Sequence, residues 1–287
     1  MKTLREYIKE AEENKVAIGH FNISDTEGLH AIFNAARKLN VPVIIGTSEG
    51  ERDFVGVKQA VALVKSLREE YDYPIFLNAD HTYSVDRAKE VIDAGYDAVI
   101  FDATKLSLEE NLAQTKEVVD YAHSVNPDIV VEGEIGYIGT SSKMLDALPE
   151  GVDPVGAVTT EEEIIEYVKN TGIDLVAPAV GNLHGMLKSG KNPELNIEQI
   201  AHLRKVGGVP MVLHGGSGIS DDDFKDAIQA GIAIIHVNTE IRVAYRKGIE
   251  DVMKEKPEEI APYRLMKKGV ENMQEVVEQR LRLFNNL

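Results

Sequence analysis

The chain has eight histidines and no cysteine, so a strong metal site must be built from His, Asp and Glu. Three of the histidines stand where an apolar run stops: His81 after Ile75-Phe76-Leu77-Asn78-Ala79-Asp80, His184 shortly after Leu175-Val176-Ala177-Pro178-Ala179-Val180, and His214 after Met211-Val212-Leu213. Three imidazoles and one open position are the ligand set of a catalytic zinc, which polarises a carbonyl as a Lewis acid. Asp80, beside His81, adds a carboxylate able to move a proton. An Asp at the end of a strand can instead cap the next helix, with a neighbouring His as its partner. That reading serves one such pair, but it does not explain histidines recurring at three separate run ends.

Other residues of the same kind gather nearby in the sequence. Glu132 and Glu134 are two apart in one apolar run, so both point to one face of a strand, where an unpaired carboxylate is costly and a cation is expected. Glu134, nearer the run's end, is the better alternate metal ligand, and Glu132 a structural partner deeper in. His236 and Asn238 lie in the last run. His30, His123 and His202 fall in helix-like segments, and His20 reads as a packing residue inside the first run.

The elements that must position these groups are eight short apolar runs, each followed by a helix-like segment: Ala17–Ile23, Pro42–Ser48, Pro74–Asp80, Ala98–Ala103, Asp128–Ile135, Leu175–Val180, Pro210–His214 and Ile232–Asn238. They are nearly continuous in Val, Ile, Leu and Ala, the pattern of strands buried on both faces. Three similar segments starting at Ala94, Thr171 and Ala230 each place a glycine just before a strand, where it stops the preceding helix. Eight strand-helix units in 287 residues match an α/β fold of the (β/α)8 TIM-barrel type, typically about 250 residues, better than an open doubly wound sheet. Barrels of this kind carry their catalytic groups at the C-terminal ends of the strands, which is where the reactive residues collect. Because adjacent strand residues face opposite ways, Asp80 and His81 can share a site only if the strand has ended there.

No linker divides the chain, so residues 1–287 read as a single domain with a C-terminal helical extension after Lys254. The stretch from Gly136 to about Glu161 exceeds a plain connection and is a candidate active-site flap. The glycines of His214-Gly215-Gly216-Ser217-Gly218-Ile219-Ser220 follow the seventh run, where barrels of this kind hold phosphate on backbone N–H groups and a helix N-terminus. Asn238 and Thr239 reach the same place from the eighth run, and Lys188, in a loop after His184, could close on the phosphate.

Acidic residues exceed basic ones 48 to 31, for a formal charge of −17, which argues against nucleic acid or an anionic membrane as partner. No apolar run reaches the roughly 18 residues of a membrane span, and the N-terminus has no signal-peptide centre, so a cytoplasmic location is expected.

Seven segments, "GHFNIS", "PVIIGTSEG", "LNADH", "VEGEIG", "LVAPAVGNLHG", "VLHGGSGI" and "VNTE", resemble in order and spacing the class II, zinc-dependent ketose-bisphosphate aldolases, which include fructose- and tagatose-bisphosphate aldolases. The resemblance covers nearly the whole chain. It implies reversible cleavage of fructose 1,6-bisphosphate, or of tagatose bisphosphate or another ketose phosphate, to dihydroxyacetone phosphate and an aldehyde. It implies zinc, or another divalent ion such as cobalt, on His81, His184 and His214, with Glu134 as a ligand when the ion shifts. Asp80 would handle the C4 hydroxyl proton while zinc stabilises the enediolate. Gly185, Lys188, Gly215, Gly216, Ser217, Asn238 and Thr239 would surround the dihydroxyacetone phosphate, a monovalent cation (Na+ or K+) lying beside its phosphate. Asn22 and Ser48 would line the substrate pocket. Lys267 falls where the family places an arginine for the far phosphate, reached from a neighbouring subunit of a homodimer or homotetramer.

Two departures accompany the resemblance. Family members carry Gly-Gly-x-Glu-Asp after the fifth strand, and this chain has Gly139-Thr140-Ser141-Ser142-Lys143, without the acid. Family members tend to have Asn where this chain has His236, which could donate a hydrogen bond or take over proton transfer. Two readings compete with an aldolase: a phosphosugar-binding relative without turnover, and a metal-independent isomerase using Asp80 and His236.

Overall fold

The computed structural model describes residues 2–139, 142–148, 150, 158–189 and 191–287. Eight parallel strands close into a barrel in the order β1-β10-β9-β7-β5-β4-β3-β2. They are β1 (Ile18–Asn22), β2 (Val43–Thr47), β3 (Ile75–Thr82), β4 (Ala98–Phe101), β5 (Val130–Ile135), β7 (Leu175–Pro178), β9 (Met211–Leu213) and β10 (Ile232–His236). Each lies within one of the eight apolar runs except β3, which runs past the end of its own. Two short strands, β6 (Met144–Leu145) and β8 (Met186–Leu187), form a separate parallel pair above the barrel. The helices are α1 (Leu4–Asn14), α2 (Thr26–Leu39), α3 (Glu49–Val55), α4 (Val57–Tyr71), α5 (Val85–Ala94), α6 (Leu108–Val125), α7 (Glu161–Thr171), α8 (Ile197–Gly207), α9 (Asp221–Ala230), α10 (Thr239–Glu255) and α11 (Pro262–Phe284). Gly95, Gly172 and Gly231 end α5, α7 and α9 with φ of 97, 71 and 124°, a conformation that costs other residues a clash at Cβ.

Alternation along the strands divides the core into two. Phe21, Val43, Leu77, Val99, Val131, Val176, Leu213 and Ile235 face outward and pack with the helices. Ile18, Ile44, Phe76, Ala98, Val130, Leu175, Val212 and Ile234 face inward at the N-terminal end. There α1 closes the mouth with Leu4, Ile8 and Ala11, its start fixed by a capping box between Thr3 and Glu6. Two residues further along the same inward faces come His20, Gly46, Asn78, Ile100, Glu132, Ala177, His214 and His236. The interior therefore changes from apolar to polar along the barrel axis, and the polar groups lie at the C-terminal end.

The third strand departs from expectation. It does not stop at Asp80 but continues to Thr82, and its pairing with β4 passes from Ala79–Val99 to Thr82–Phe101, three steps on one strand against two on the other. This bulge places His81 at φ 93°, a conformation uncommon for a residue with a side chain. The extra residue breaks the alternation, so Asp80 and His81 reach one site without the strand ending.

The C-terminal extension covers the barrel wall. α11 packs on α10, on α2 and beside β1, burying Met273, Val277, Leu281 and Phe284. The Ala17 N–H donates to the Phe284 carbonyl at 3.0 Å. No helix among the described residues is long and apolar enough to cross a membrane.

Candidate active site

At the C-terminal mouth of the barrel a cavity of about 530 Å³ is lined by Asn22, Ser48, Asp80, His81, His184, Gly185, Gly215, Ser217, His236, Asn238 and Thr239, together with Glu49, Gly50, Tyr83, Ser142, Lys143 and Arg242. Its floor is the ring of polar inward-facing residues. Each of the three strand-end histidines arrives differently: His81 on the bulge of β3, His184 in the loop after β7, His214 just past β9. Their ring centroids lie 5.1, 4.9 and 5.7 Å apart, with planes inclined at 85, 71 and 32°.

Carboxylates hold two of these rings. His214 Nε2 donates to Glu132 Oε1 at 2.6 Å, and His81 Nδ1 lies 3.1 Å from Asp102 Oδ2, whose other oxygen accepts from the Thr104 hydroxyl at 2.7 Å. Glu134 Oε2 stands 3.4 Å from His81 Nδ1 and 3.5 Å from His214 Nδ1. Burial opposes charge on each ring. For His81 it is outweighed by Asp80, Glu134 and Asp102, which lift the imidazole to about 9, and for His214 by Glu132 and Glu134, which hold it well above the usual range. For His184 the carboxylates Asp80 and Asp102 act too weakly; burial and then the charge of His81 and His214 push it down to about 3. For Glu134, burial and then the charge of Asp102 push its carboxyl up.

Asp80 is 5% exposed. Burial favours its neutral form, but charge on His81 and the nearby His236 imidazole prevail and keep the carboxyl well below its ordinary value. Asn22 Nδ2 donates to its Oδ2 at 2.6 Å and to Glu51 Oε2 at 2.8 Å, while Asp80 Oδ1 lies 3.6 Å from both His81 Nε2 and His236 Nδ1. His236 is the middle ring of a stack, 3.5 Å from His20 at an interplanar angle of 5° and 4.3 Å from His214 at 25°. Burial and then its two stacked neighbours keep it neutral. His20, facing the same stack, is held neutral by burial at about 4 and lies 3.1 Å from Asn78 Nδ2.

Which of these groups fits a divalent ion follows from ring geometry. Donor atoms of His81, His184 and His214 all lie within 4.8 Å of one another, as do those of His20, Asp80 and His236. An imidazole binds through a lone pair in its plane, so parallel stacked rings such as His20 and His236 cannot aim at one point between them. The rings of the first set, with His81 steeply inclined to both others, can. Two buried polar atoms beside that set, His214 Nδ1 and Glu134 Oε2, have no hydrogen-bond partner among the described residues, as expected of groups whose partner is a cation.

Next to the histidines, backbone is drawn close by glycine. Gly215 has φ 65°, and a Cβ there would lie 2.1 Å from the Leu183 carbonyl oxygen. The Gly216 N–H donates to the His236 carbonyl at 2.9 Å, the Ser217 hydroxyl accepts from the Glu240 N–H at 3.3 Å, and Asn238 accepts from the Asn22 N–H at 2.8 Å. This loop and the start of α10 therefore form one wall.

Two expected cations lie elsewhere. Lys188 does not line the cavity: Leu187 pairs with Leu145 in the β6–β8 sheet, and the Lys188 ammonium is drawn to Asp146 Oδ1 at 2.8 Å. Lys267 is exposed on α11 and does not line its own chain's cavity. Of the expected flap, the Lys143 carbonyl accepts from the Met186 N–H at 3.0 Å, which brings Ser142 and Lys143 to the cavity; Thr140, Ser141 and residues 151–157 lie outside the described residues.

Several participants escape a reading of residue types. Asp102 directly follows β4, inside the fourth apolar run, and the rule that picked out the histidines applies to it equally. Arg242 lies one helical turn after Asn238 and pairs with Glu51 Oε1 at 2.6 Å. Arg52 is fully buried beneath the site and has no sequence signal at all.

Residues 2–287 match the model of the family described as fructose-bisphosphate aldolase class-II. A fructose-bisphosphate aldolase of Geobacillus stearothermophilus is 36% identical over 290 residues, covering 99% of this chain and 96% of that protein. One from Staphylococcus aureus is 35% identical over 288 residues, covering 98% and 96%. The crystal structure of the YdjI aldolase from Escherichia coli K12 superposes with a TM-score of 0.80 at 28% identity, over 99% of this chain and 97% of that one.

Proposed function

The chain belongs to the class-II fructose-bisphosphate aldolase family, and from that membership we propose that it reversibly cleaves fructose 1,6-bisphosphate to dihydroxyacetone phosphate and glyceraldehyde 3-phosphate. The observation that carries the reading is the meeting of three inclined histidine rings and an ionised Asp80 at the floor of one cavity. Aldol cleavage needs a base for a hydroxyl and an electron sink for a carbanion, and these groups meet both needs.

His81, His184 and His214 are assigned as the zinc ligands, with Glu134 within reach as an alternate. What the ion supplies when bound is Lewis acidity toward the substrate carbonyl. Asp80 accepts the proton of the C4 hydroxyl; as that O–H electron pair forms the aldehyde carbonyl, the C3–C4 bond breaks and its pair passes to C3, conjugated with the C2 carbonyl. Asn22, donating to the other Asp80 oxygen, holds the carboxylate in one orientation. Gly185, Gly215, Gly216, Ser217, Asn238 and Thr239 hold the phosphate of the ketone half on backbone N–H groups and hydroxyls. Ser48 lines the side where the aldehyde half lies, and Lys267 of a second copy is assigned to its phosphate in a homodimer.

C3 must gain a proton before the ketone product leaves, and the loop that supplies an acid in relatives has Ser142 and Lys143 here. His236 is assigned this step as a relay: its Nε2 gives a proton to C3 while Nδ1, 3.6 Å from Asp80 Oδ1, takes up the proton that Asp80 received from the C4 hydroxyl, so the ring ends neutral and Asp80 ionised. His236→Asn is expected to slow exchange of the C3 proton of dihydroxyacetone phosphate, followed by NMR in deuterium oxide, by about a hundredfold, the usual order for one acid–base group. Unchanged exchange would remove His236 from the role.

The reading as a whole is tested by cleavage of fructose 1,6-bisphosphate in a coupled assay. Activity is expected to disappear after EDTA treatment and to return with zinc. A fully zinc-loaded protein that leaves this sugar intact would reject the substrate.

A further inference from the structure

Arg52 is a fully buried arginine on α3, its guanidinium lying between the ends of β2 and β3. It donates to the Thr47 carbonyl at 2.5 Å, to the Asp80 carbonyl at 3.1 Å and to the Thr82 hydroxyl at 3.1 Å. The Glu49 carboxylate lies 3.9 Å away, and Arg52 Nε has no hydrogen-bond partner among the described residues. Burying a cation in this way, with no close bidentate carboxylate, is a poor source of stability. What its donors do grip is specific: both ends of the extra residue in β3, and the neighbouring strand at the same level.

The bulge is the feature that needs such a grip. Between Ala79 and Thr82 the register with β4 shifts by one residue, and His81 occupies a conformation that residues with a side chain seldom adopt. A regular strand would turn the His81 side chain to the opposite face from Asp80.

We propose that Arg52 is a positioning residue for the active site: by holding the Asp80 carbonyl and the Thr82 hydroxyl against the end of β2, it keeps the bulge that brings Asp80 and His81 together. The inference rests on the assignment of His81 as a metal ligand, and it makes no contact between Arg52 and substrate.

The test uses Arg52→Met, Arg52→Lys and Thr82→Val in the full-length protein. Zinc affinity is measured by competition with a chromogenic chelator, coordination by the visible absorption of the cobalt-loaded protein, and stability by thermal unfolding of the metal-free protein. Arg52→Met and Arg52→Lys are expected to weaken zinc binding by about 10- to 100-fold, the range for losing a group that orients a ligand, and to alter the cobalt spectrum. Thr82→Val, which removes one grip without burying anything new, should weaken zinc by about tenfold, at the lower edge of that range. In each case kcat should fall while KM moves little. If Arg52→Met fails to fold, the lysine and valine variants decide. Wild-type zinc affinity and cobalt spectrum in the folded variants, or a loss of thermal stability alone, would overturn the proposal. A wild-type protein that binds zinc without cleaving sugar would count against the proposed reaction instead, and the metal readouts would still judge Arg52.

Discussion

Replacing Asp80 by alanine is expected to lower cleavage of fructose 1,6-bisphosphate by about 10²- to 10⁴-fold, the range for removing a positioned general base. The loss should fall on kcat, since the carboxylate acts on a proton that moves only during reaction. Zinc should stay bound, because His81, His184 and His214 are untouched. Asp80→Asn sharpens the result: it keeps the shape and can still meet Asn22, but it cannot accept a proton. The two variants should therefore be impaired alike. The ionised state of Asp80 sets the pH behaviour. Burial would raise its pKa, but charge on His81 and the nearby His236 imidazole outweigh this and lower it, so the base stays available as pH falls through the ordinary carboxylate range. Appreciable turnover by Asp80→Asn would displace Asp80 from the role, and a wild-type acid limb at that range which vanishes in the variant would show that its carboxyl is not lowered.

The second large effect concerns the ligands, which are not equivalent. His184 lacks a carboxylate partner among the described residues and is held neutral at about 3, whereas His214 shares a 2.6 Å hydrogen bond with buried Glu132. His184→Ala is therefore expected to weaken zinc by more than about 100-fold, beyond the effect of losing an outer partner, and to abolish cleavage, while the metal-free protein unfolds near the wild-type temperature. His214→Ala should lose zinc as well, but it strands a buried carboxylate and should cost about 3–5 kcal/mol of stability. Similar unfolding temperatures for the two metal-free variants would contradict this division.

Protons compete with zinc at the same rings. With the imidazole of His81 raised to about 9 and that of His214 held well above its ordinary value, zinc must displace up to two protons near neutral pH, so affinity should rise by up to about tenfold per pH unit for each. Stability of the metal-free protein should run the other way. The raised pKa of His81 contributes stability that is complete below about 6.5 and is lost as pH rises through about 9. Calorimetry of metal-free and zinc-loaded protein should give opposite slopes across that window, and parallel slopes would show that these imidazoles carry no proton.

The barrel was legible because each strand has both faces covered, which leaves short unbroken apolar runs that periodicity detects. The site was legible where one topological rule applied: His81, His184 and His214 come at strand ends, and the fold brings such ends together. Asp102 obeys the same rule, but the fourth run reads on through it to Ala103, which hides it inside the strand. The bulge was not legible, since the residue with positive φ is a histidine and carries none of glycine's signal. Nor was Arg52, whose partners are backbone carbonyls that no residue type announces. The placement of Lys188 depended on β6 and β8, two-residue strands too short for any periodic signal, which carry its ammonium to Asp146 and away from the cavity.

The lock of α11 against β1 also bears on how the protein is made. The strand synthesised first is flanked in the barrel by β10, and its approach is sealed by a helix from the far end of the chain, with the Ala17 amide bound to the Phe284 carbonyl and Leu281 beside Gly19. At about 5–20 residues per second, an emerging polypeptide waits many seconds with that strand's edge and outer wall uncovered. The earliest strand is thus the last to be enclosed, so it is the opening segment, and not the end, that most needs shielding by a chaperone during translation.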